Sequence, residues 1–559
     1  MQSDLSGAKV TSEERRKAES VDPWAPLRNK IYRMIWIATL CSNIGTWMQE
    51  VGAGWLMAML APDPFMVSLV QASATLPFFL LAIPAGALAD IIDRRKYLIA
   101  TQIWMSFFAA TLGILTLTGF TTAWTLLFLT FCLGIGAAMM MPAWGAIVPE
   151  LVKRSELQSA ITLNTVAMNS ARAIGPALAG IIIAATSPGV VFILNAISFF
   201  AVIFAFKKWK HDPKSSTLPK EHLHGAIRAG LRYARHSDEL RSVLARGAAF
   251  FVFASAPWAL LPLIVKLKLR SGPGIYGFML ACIGLGAICG AFFLPRVQGR
   301  LNRDVMVAVA SAAYAFAMLW LAFHTQVYIV APAMLILGCS WMTVFSSLTT
   351  SAQTALPSWV RARGLALHWV TYTLGFAIGS VTWGKIASLT GIPASLTLAA
   401  FGALIGIFVA WRFKIGQHDK YDLSHSLDWA APLDAHQHEM DKGPIMVTVE
   451  YEIDARNQRE FIRALRRLQH VRQRNGAYMW EVLSDINRPG IIYEIFMVES
   501  LVEHLRQHDR MTVADMATRD HVRTFHIGEN PPKITRLIGL TRSKRLAQLV
   551  QFIRQQERS

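Results

Sequence analysis

Charge is scarce in this 559-residue sequence: Asp, Glu, Lys and Arg make up 16% of it, against 53% hydrophobic residues. Soluble domains carry roughly a quarter charged residues, so one water-soluble core is excluded. Cysteine is rare as well. The five copies, Cys41, Cys132, Cys282, Cys289 and Cys339, all fall inside apolar runs. Inert buried thiols are expected there, not disulfides or zinc ligands. No Gly-rich nucleotide loop of the Walker or Rossmann type occurs, which argues against direct use of ATP. No cofactor and no metal are expected. Residues 1–27 are polar, with no apolar run ahead of a small-residue cleavage site, and no secretory signal peptide is expected.

What the sequence has instead is apolar length. From Ile31 to Ile415 about twelve stretches follow one another, among them Ile31–Leu60, Val67–Ala89, Tyr97–Gly119, Trp124–Ile147 and Ala394–Trp411. Each has roughly the 20 residues a helix needs to cross a bilayer. A polytopic all-α membrane protein is expected, with lipid as its solvent. The net charge of +19 is no sign of nucleic acid, because the basic residues sit in short connectors and at the chain ends. Basic clusters such as Arg28/Lys30/Arg33, Arg94/Arg95/Lys96, Lys207/Lys208/Lys210 and Arg361/Arg363 occupy every second connector. This alternation predicts an even number of spans with both termini cytoplasmic, in a cell inner or plasma membrane. Lys266, Lys268 and Arg270 break the pattern on the opposite side, and a snorkelling helix end is the expected reason.

The polar stretch His211–Arg241 divides the spans into two sets of six, and Gly225–Arg241 within it reads as a basic amphipathic helix. That helix fits either an anionic membrane surface or a solvated linker. The expected organisation is an N-terminal tail (1–30), spans one to six (31–207), a central cytoplasmic loop (208–241) and spans seven to twelve (242–415). A linker (416–444), a soluble domain (445–545) and a basic tail (546–559) complete it. In the soluble domain, strands are predicted at Ile445–Ile453, Tyr478–Leu483, Ile491–Val498 and Lys533–Leu540, with helices at Ala455–Arg474 and Leu501–Thr524. The order βαββαβ predicts a ferredoxin-like α+β fold. His504 and His508 lie one turn apart on a helix, but no third ligand follows, so a solvated helix face is expected in place of a metal site.

One motif is sharper than the rest. Gly86 is followed by Asp90, then Asp93-Arg94-Arg95-Lys96, at the end of the second apolar stretch. It resembles the signature of the major facilitator superfamily between spans two and three. Ile91 stands where a base is common and Asp93 where glycine is common; a weaker echo, Gly290 to Arg296, has Leu294 in place of the acid. Three further segments are similar to the enterobactin-exporter-like, or transmembrane secretion effector, group. These are Ser42–Gln49, Arg172–Gly180 with its Gly175-Pro176 pair, and Leu356–Gly364. That group often ends in a soluble βαββαβ domain, and the resemblance covers nearly the whole chain.

The resemblance implies two six-helix halves and a transporter working by alternating access, with substrate bound between the halves. It also implies that Asp90 meets the start of span eleven near Arg363 and Gly364; Arg94 and Arg361 are expected to complete a breakable cluster, with Asp90 and Arg94 latching the outward-facing state and Gly86, Asp93, Arg95 and Arg363 in the same gating motif. Gly175, Pro176 and Gly180 match a helix-bending motif of exporting members, although Ala179-Gly180 replaces the usual doubled glycine. Ionisable residues inside spans are functional candidates, because burying them in lipid is costly. Glu50, Arg172 and His368 are the candidates for coupling or substrate contact, with Asn43, Gln49 and Asn169 as uncharged ones. Arg246 reads as an anchor at a helix end. The expected function is proton-coupled export of a small molecule such as a siderophore, drug or metabolite. Import, or a permease bearing a monooxygenase-like C-terminal domain, is the alternative. The chain is not expected to be an enzyme. Its expected partners are substrate, protons, lipid and a second copy joined through the C-terminal domain.

Overall fold

The computed structural model describes residues 24–209, 223–298, 301–357, 359–415 and 443–539. Most of the expected N-terminal tail, residues 416–442 of the linker and the basic tail 546–559 lie outside the described residues. The chain forms two compact units: residues 1–220, 244–349 and 366–414, and residues 221–243, 350–365 and 415–559.

The first unit is built from long helices. In chain order they are Lys30–Leu60 (α1), Pro64–Ile91 (α2), Arg94–Leu117 (α3), Ala123–Leu151 (α4), Leu157–Ala185 (α5) and Pro188–Lys208 (α6). After the shorter helix Leu223–His236 (α7), which belongs to the second unit, come Asp238–Leu263 (α8), Pro273–Gln298 (α9), Arg303–Phe323 (α10), Val327–Thr354 (α11), Arg361–Thr390 (α12) and Ile392–Ala410 (α13). Side chains of Asn29, Asp63, Asp93 and Thr122 start α1 to α4 by accepting hydrogen bonds from first-turn amides. Among the described residues, ten helices are long and apolar enough to cross a membrane, against the dozen expected. The two long helices outside that set are α1 and α13. Ser42, Asn43, Thr46, Gln49 and Glu50 interrupt the apolar run of α1, and α13 is short. Phe200, Phe204, Phe292, Phe293 and Phe408 are largely exposed on this unit's surface, a surface suited to lipid and not to water.

The two sixes repeat a packing scheme. In the first, α1 packs on α5 and α6, α2 on α4, and α3 on α6; in the second, α10 on α13 reproduces the α3–α6 pairing. The sixes meet chiefly through α5 and α9. Glycine makes this approach possible: a Cβ on Gly180 would lie 2.9 Å from the Pro273 carbonyl, and one on Gly284 would lie 3.0 Å from the Arg172 carbonyl. Pro176 has no N–H to donate to that Arg172 carbonyl four residues earlier. The α5–α9 contact therefore uses a carbonyl that the helix itself leaves open.

The end of the bundle bearing Arg94–Lys96 is the basic end; the end bearing Leu60, Phe120 and Thr186 is the low-charge end. Contacts between the sixes gather at the low-charge end. There Trp55 stacks on Tyr276 with centroids 6.1 Å apart, Lys385 lies over the Phe65 ring at 5.6 Å, and Gly384 abuts Ser68. The two lysines that broke the charge alternation also find a role at this end. Lys266 Nζ donates to the Ala58 carbonyl (2.6 Å), and Lys268 Nζ to those of Leu321 (2.6 Å) and Ala322 (2.5 Å). These carbonyls belong to the last turns of α1 and α10, where a cation complements the helix dipole.

The second unit contains a four-stranded antiparallel sheet of Ile445–Glu452 (β1), Met479–Ser484 (β2), Ile491–Val498 (β3) and Lys533–Ile538 (β4), in the order β2-β3-β1-β4. Helices Gln458–Asn475 (α14), Leu501–Asp509 (α15) and Val513–Arg523 (α16) accompany it. This is the ferredoxin-like order. Val447, Val449, Tyr451, Phe496, Phe461, Leu465 and Leu468 form its core. The single helix expected over Leu501–Thr524 is two helices, because Thr512 and Asp515 form a capping box that starts α16 afresh. His504 is 2% exposed and accepts from Arg536 Nε at 3.3 Å, so its helix face is not solvated as expected. The side chain of His508 lies outside the described residues, and no group able to hold a metal occurs among those described.

Candidate functional site

Glu50 lies ten residues before the C-terminal end of α1, about 15 Å in from the low-charge end at 1.5 Å per residue. It is solvent-exposed despite that depth. It interacts electrostatically with Arg172 of α5 and with Tyr276 of α9, and both Glu50 and Arg172 interact with Tyr372 of α12. Groups from four helices and both sixes therefore surround it. An exposed carboxyl at that depth, within electrostatic reach of one guanidinium and two phenols, is a place where a polar solute can bind.

Arg172 is the pivot of this group. Its guanidinium carbon lies 5.2 Å from the centroid of the Trp47 ring, and its Nε is buried with no hydrogen-bond partner. A buried donor left unpaired costs free energy, and a ligand or a rearrangement in the transport cycle could recover it. Tyr372 opens the opposite wall. Its ring lies 4.9 Å from Phe251, 5.9 Å from Trp341, 5.7 Å from Phe345 and 5.6 Å from Phe376. Trp258 packs on Trp341 at 5.8 Å. One wall thus carries charge and the other is aromatic.

The remaining sequence candidates are placed as follows. Gln49 Oε1 accepts from Asn195 Nδ2 (2.9 Å) on α6, and Asn169 donates to the Thr165 carbonyl of its own helix (2.9 Å). Asn43 is half-buried on α1. His368 is 1% exposed, between the rings of Phe251 and Phe345, with Nε2 3.2 Å from the Thr349 hydroxyl. Gly175 packs against Trp47: a Cβ there would fall 2.6 Å from the Trp47 Cβ. This seats the Gly175-Pro176 turn directly beside the ring that Arg172 covers.

The basic-loop motif is used locally. Asp93 caps α3 by accepting from the Lys96 amide (2.9 Å). Arg94 pairs with Glu150 of α4 (2.5 Å), and Arg95 donates to the Phe206 (2.8 Å) and Lys207 (2.6 Å) carbonyls at the end of α6. Arg361 donates to the Leu356 carbonyl (3.3 Å), and Arg363 lies beside Gly230 of α7. A Cβ at Gly86 would meet nothing within 4 Å. The side chain of Asp90 lies outside the described residues. Sequence reasoning missed Glu150, Tyr276 and Tyr372. The acid ending the α4 run was a usable signal for Glu150, but nothing local distinguishes those two tyrosines from the other nine.

Two packed sets of long helices with an exposed carboxyl at mid-depth are the features of a carrier-type membrane protein. The comparisons make this specific. The family described as transmembrane secretion effector matches residues 21–544, and the chain belongs to that family, within the major facilitator superfamily. The chain is 24% identical over 292 residues to the staphyloferrin A transporter of Staphylococcus aureus, covering 51% of this chain and 72% of that protein. It is 25% identical over 381 residues to the enterobactin exporter EntS of Escherichia coli, covering 67% and 89%. With the multidrug efflux pump Tap of Mycolicibacterium fortuitum, identity is 22% over 400 residues, covering 69% and 96%.

Among solved structures, a bacterial homolog of the human lysosomal transporter Spinster, inward-facing and occupied, aligns with a TM-score of 0.57 and 13% identity. That alignment covers 70% of this chain and 98% of that one. A bacterial homologue of ferroportin in an inward-facing state aligns at 0.52 and 16%, covering 68% and 97%. At these identities the structures speak for the fold alone. The chain is a multi-pass membrane transporter of a small molecule, and not an enzyme by family.

Proposed function

We propose that this transporter exports a small molecule across the inner membrane in exchange for protons, with both termini in the cytoplasm. The carrying observation is the meeting of Glu50 and Arg172 with Tyr276 and Tyr372 around one water-reached point between the halves. A carboxyl that solvent reaches can exchange a proton for substrate, because a proton and a hydrogen-bond donor of the substrate compete for the same Glu50 oxygen, while Arg172 holds the substrate in either case. The gathering of inter-half contacts at the low-charge end supports reading this conformation as open to the cytoplasm. The names of the exporting relatives support the outward direction. The outer face of the C-terminal sheet, with Met479, Leu483 and Leu537 exposed, supports a homodimer formed through a second copy of that face.

The test is flux in everted vesicles, followed with a pH-sensitive dye while candidate siderophores, drugs and metabolites are added. A substrate-dependent proton release is expected from the native chain. Glu50→Gln should abolish it while leaving counterflow exchange of substrate, and Arg172→Gln should abolish both. Proton release unchanged in Glu50→Gln would remove Glu50 as the coupling group.

A further inference from the structure

We infer that the C-terminal domain is a clamp on the transport cycle, gripping the end of α7 and the α11–α12 connector and favouring the state open at the basic end. This goes beyond the transport reading and holds for either direction of flux.

The grip joins three stretches of chain far apart in sequence. Tyr233 of α7 is 1% exposed, donates its hydroxyl hydrogen to the Ala355 carbonyl (3.0 Å) and meets the Trp359 ring edge-on at 5.8 Å. From the domain, Arg510 places its guanidinium 4.7 Å from the Trp359 centroid, and Arg474 lies 5.5 Å from that of Tyr233. Glu503 accepts from Arg232 of α7 (2.9 Å) and from Arg510 (2.6 Å), while Arg474 pairs with Asp515. Acids, cations and rings thus form one continuous chain from Asp515 through Arg474, Tyr233, Trp359 and Arg510 to Glu503 and Arg232. The side chains of Arg232, Arg510 and Glu503 are 16%, 7% and 14% exposed. In so dry a setting cation–π contacts are at their strongest, and removing one partner strands a buried charge.

Nothing in the domain's own core needs this arrangement, because Tyr451, Phe461, Leu465 and Phe496 fill that core. What the ring grips are joints. Residues 355–360 are the connector between α11 and α12, and α7 runs into α8 through the single residue Ser237. If span ends at the basic end move during the cycle, both joints must change shape. Contacts made in one state and lost in the other shift the balance towards the first, and here they are made while the halves are sealed at the low-charge end. The amphipathic face of α7 is accordingly used by protein, with Arg232 and Tyr233 turned to the domain.

Spin labels on Phe120→Cys and Tyr328→Cys, both largely exposed at the low-charge end of opposite halves, test the clamp in the full-length chain without its five native cysteines. No substrate is needed for the measurement. In Trp359→Leu, pulsed dipolar spectra should show the ratio of long to short distances raised about tenfold, equivalent to ~1.4 kcal/mol. Tyr233→Phe keeps the ring and loses only the Ala355 bond, so its shift should be smaller and in the same direction. If Trp359→Leu does not fold, Tyr233→Phe decides. Unchanged distances, or a shift towards the short population, would overturn the clamp and leave the domain a passive appendage.

Discussion

The two six-helix halves treat buried charge in opposite ways. In the C-terminal half, Arg246 is fully engaged: Nη2 lies 2.7 Å from Asp304 and Nε donates to the Phe413 carbonyl at 2.5 Å. Its side chain is 4% exposed. In the N-terminal half, Arg172 leans on the Trp47 ring with its Nε unpaired, beside a carboxylate that water reaches. A cation held by an acid and a carbonyl of other segments ties helices together. A cation left with a spare donor beside water is available for chemistry. Residue type alone does not separate the two, since both are arginines inside long apolar helices.

The largest effect that would break this contrast is expected at Arg246. Arg246→Gln breaks the buried pair with Asp304 and should cost about 3 kcal/mol of stability, seen as a lowered melting temperature in detergent. Transport per folded molecule should stay within about twofold, since nothing around Glu50 changes. The unpaired donor of Arg172 predicts the reverse for Arg172→Gln: near-native melting and lost transport. If the two variants behave alike in either assay, the distinction between scaffold and functional charge fails.

The soluble domain sharpens the comparison with a buried base kept neutral. Burial, and then the positive charges of Arg536 and Arg472, hold His504 down at about 4, from the usual 6.5. The unfolded chain therefore binds a proton between these values while the folded domain does not. Stability is fully present above about pH 6.5 and falls towards pH 4, by at most about 3 kcal/mol at 1.36 kcal/mol per unit. Hydrogen exchange of β1 and β3 amides in the full-length protein should show protection declining across that window. His504→Gln should flatten the decline, and an unaltered slope would assign it to other groups.

Much of the architecture was legible because each level repeats one simple rule. Apolar runs of bilayer length gave the helices, alternation of Lys and Arg marked the connectors, and a period of two gave the four strands. What stayed hidden was pairing at a distance. Arg94 and Glu150 are 56 residues apart, and Arg246 and Asp304 are 58 apart; no local pattern links either pair. Tyr276 and Tyr372 come within electrostatic reach of Glu50 only through the tertiary fold, being more than two hundred residues away in sequence. The break at Thr512 was legible in principle, as a threonine followed three residues later by an acid, but the apolar period runs through it. The lysines at 266 and 268 read as snorkelling because their partners are backbone carbonyls, which a sequence does not display.

The smallest expected effect concerns Gly86, where sequence and structure part most instructively. Glycine at this position of the motif implies close helix approach, yet a Cβ there would meet nothing within 4 Å. Gly277 on α9 is the opposite case, because its Cβ would fall 2.8 Å from the Gly180 Cα. The two glycines then serve different states: Gly277 the contact made now at the low-charge end, Gly86 one made when the basic end closes. Gly86→Ala should be neutral or stabilising by up to about 1 kcal/mol, since alanine suits a helix interior better. It should also slow transport by opposing closure, and the label pair at Phe120 and Tyr328 should show fewer long distances. Gly277→Ala should raise the long-distance population. Equal and native-like transport in Gly86→Ala would mean that α2 never closes on another helix at that point, and the motif's glycine would then owe its place to something other than gating.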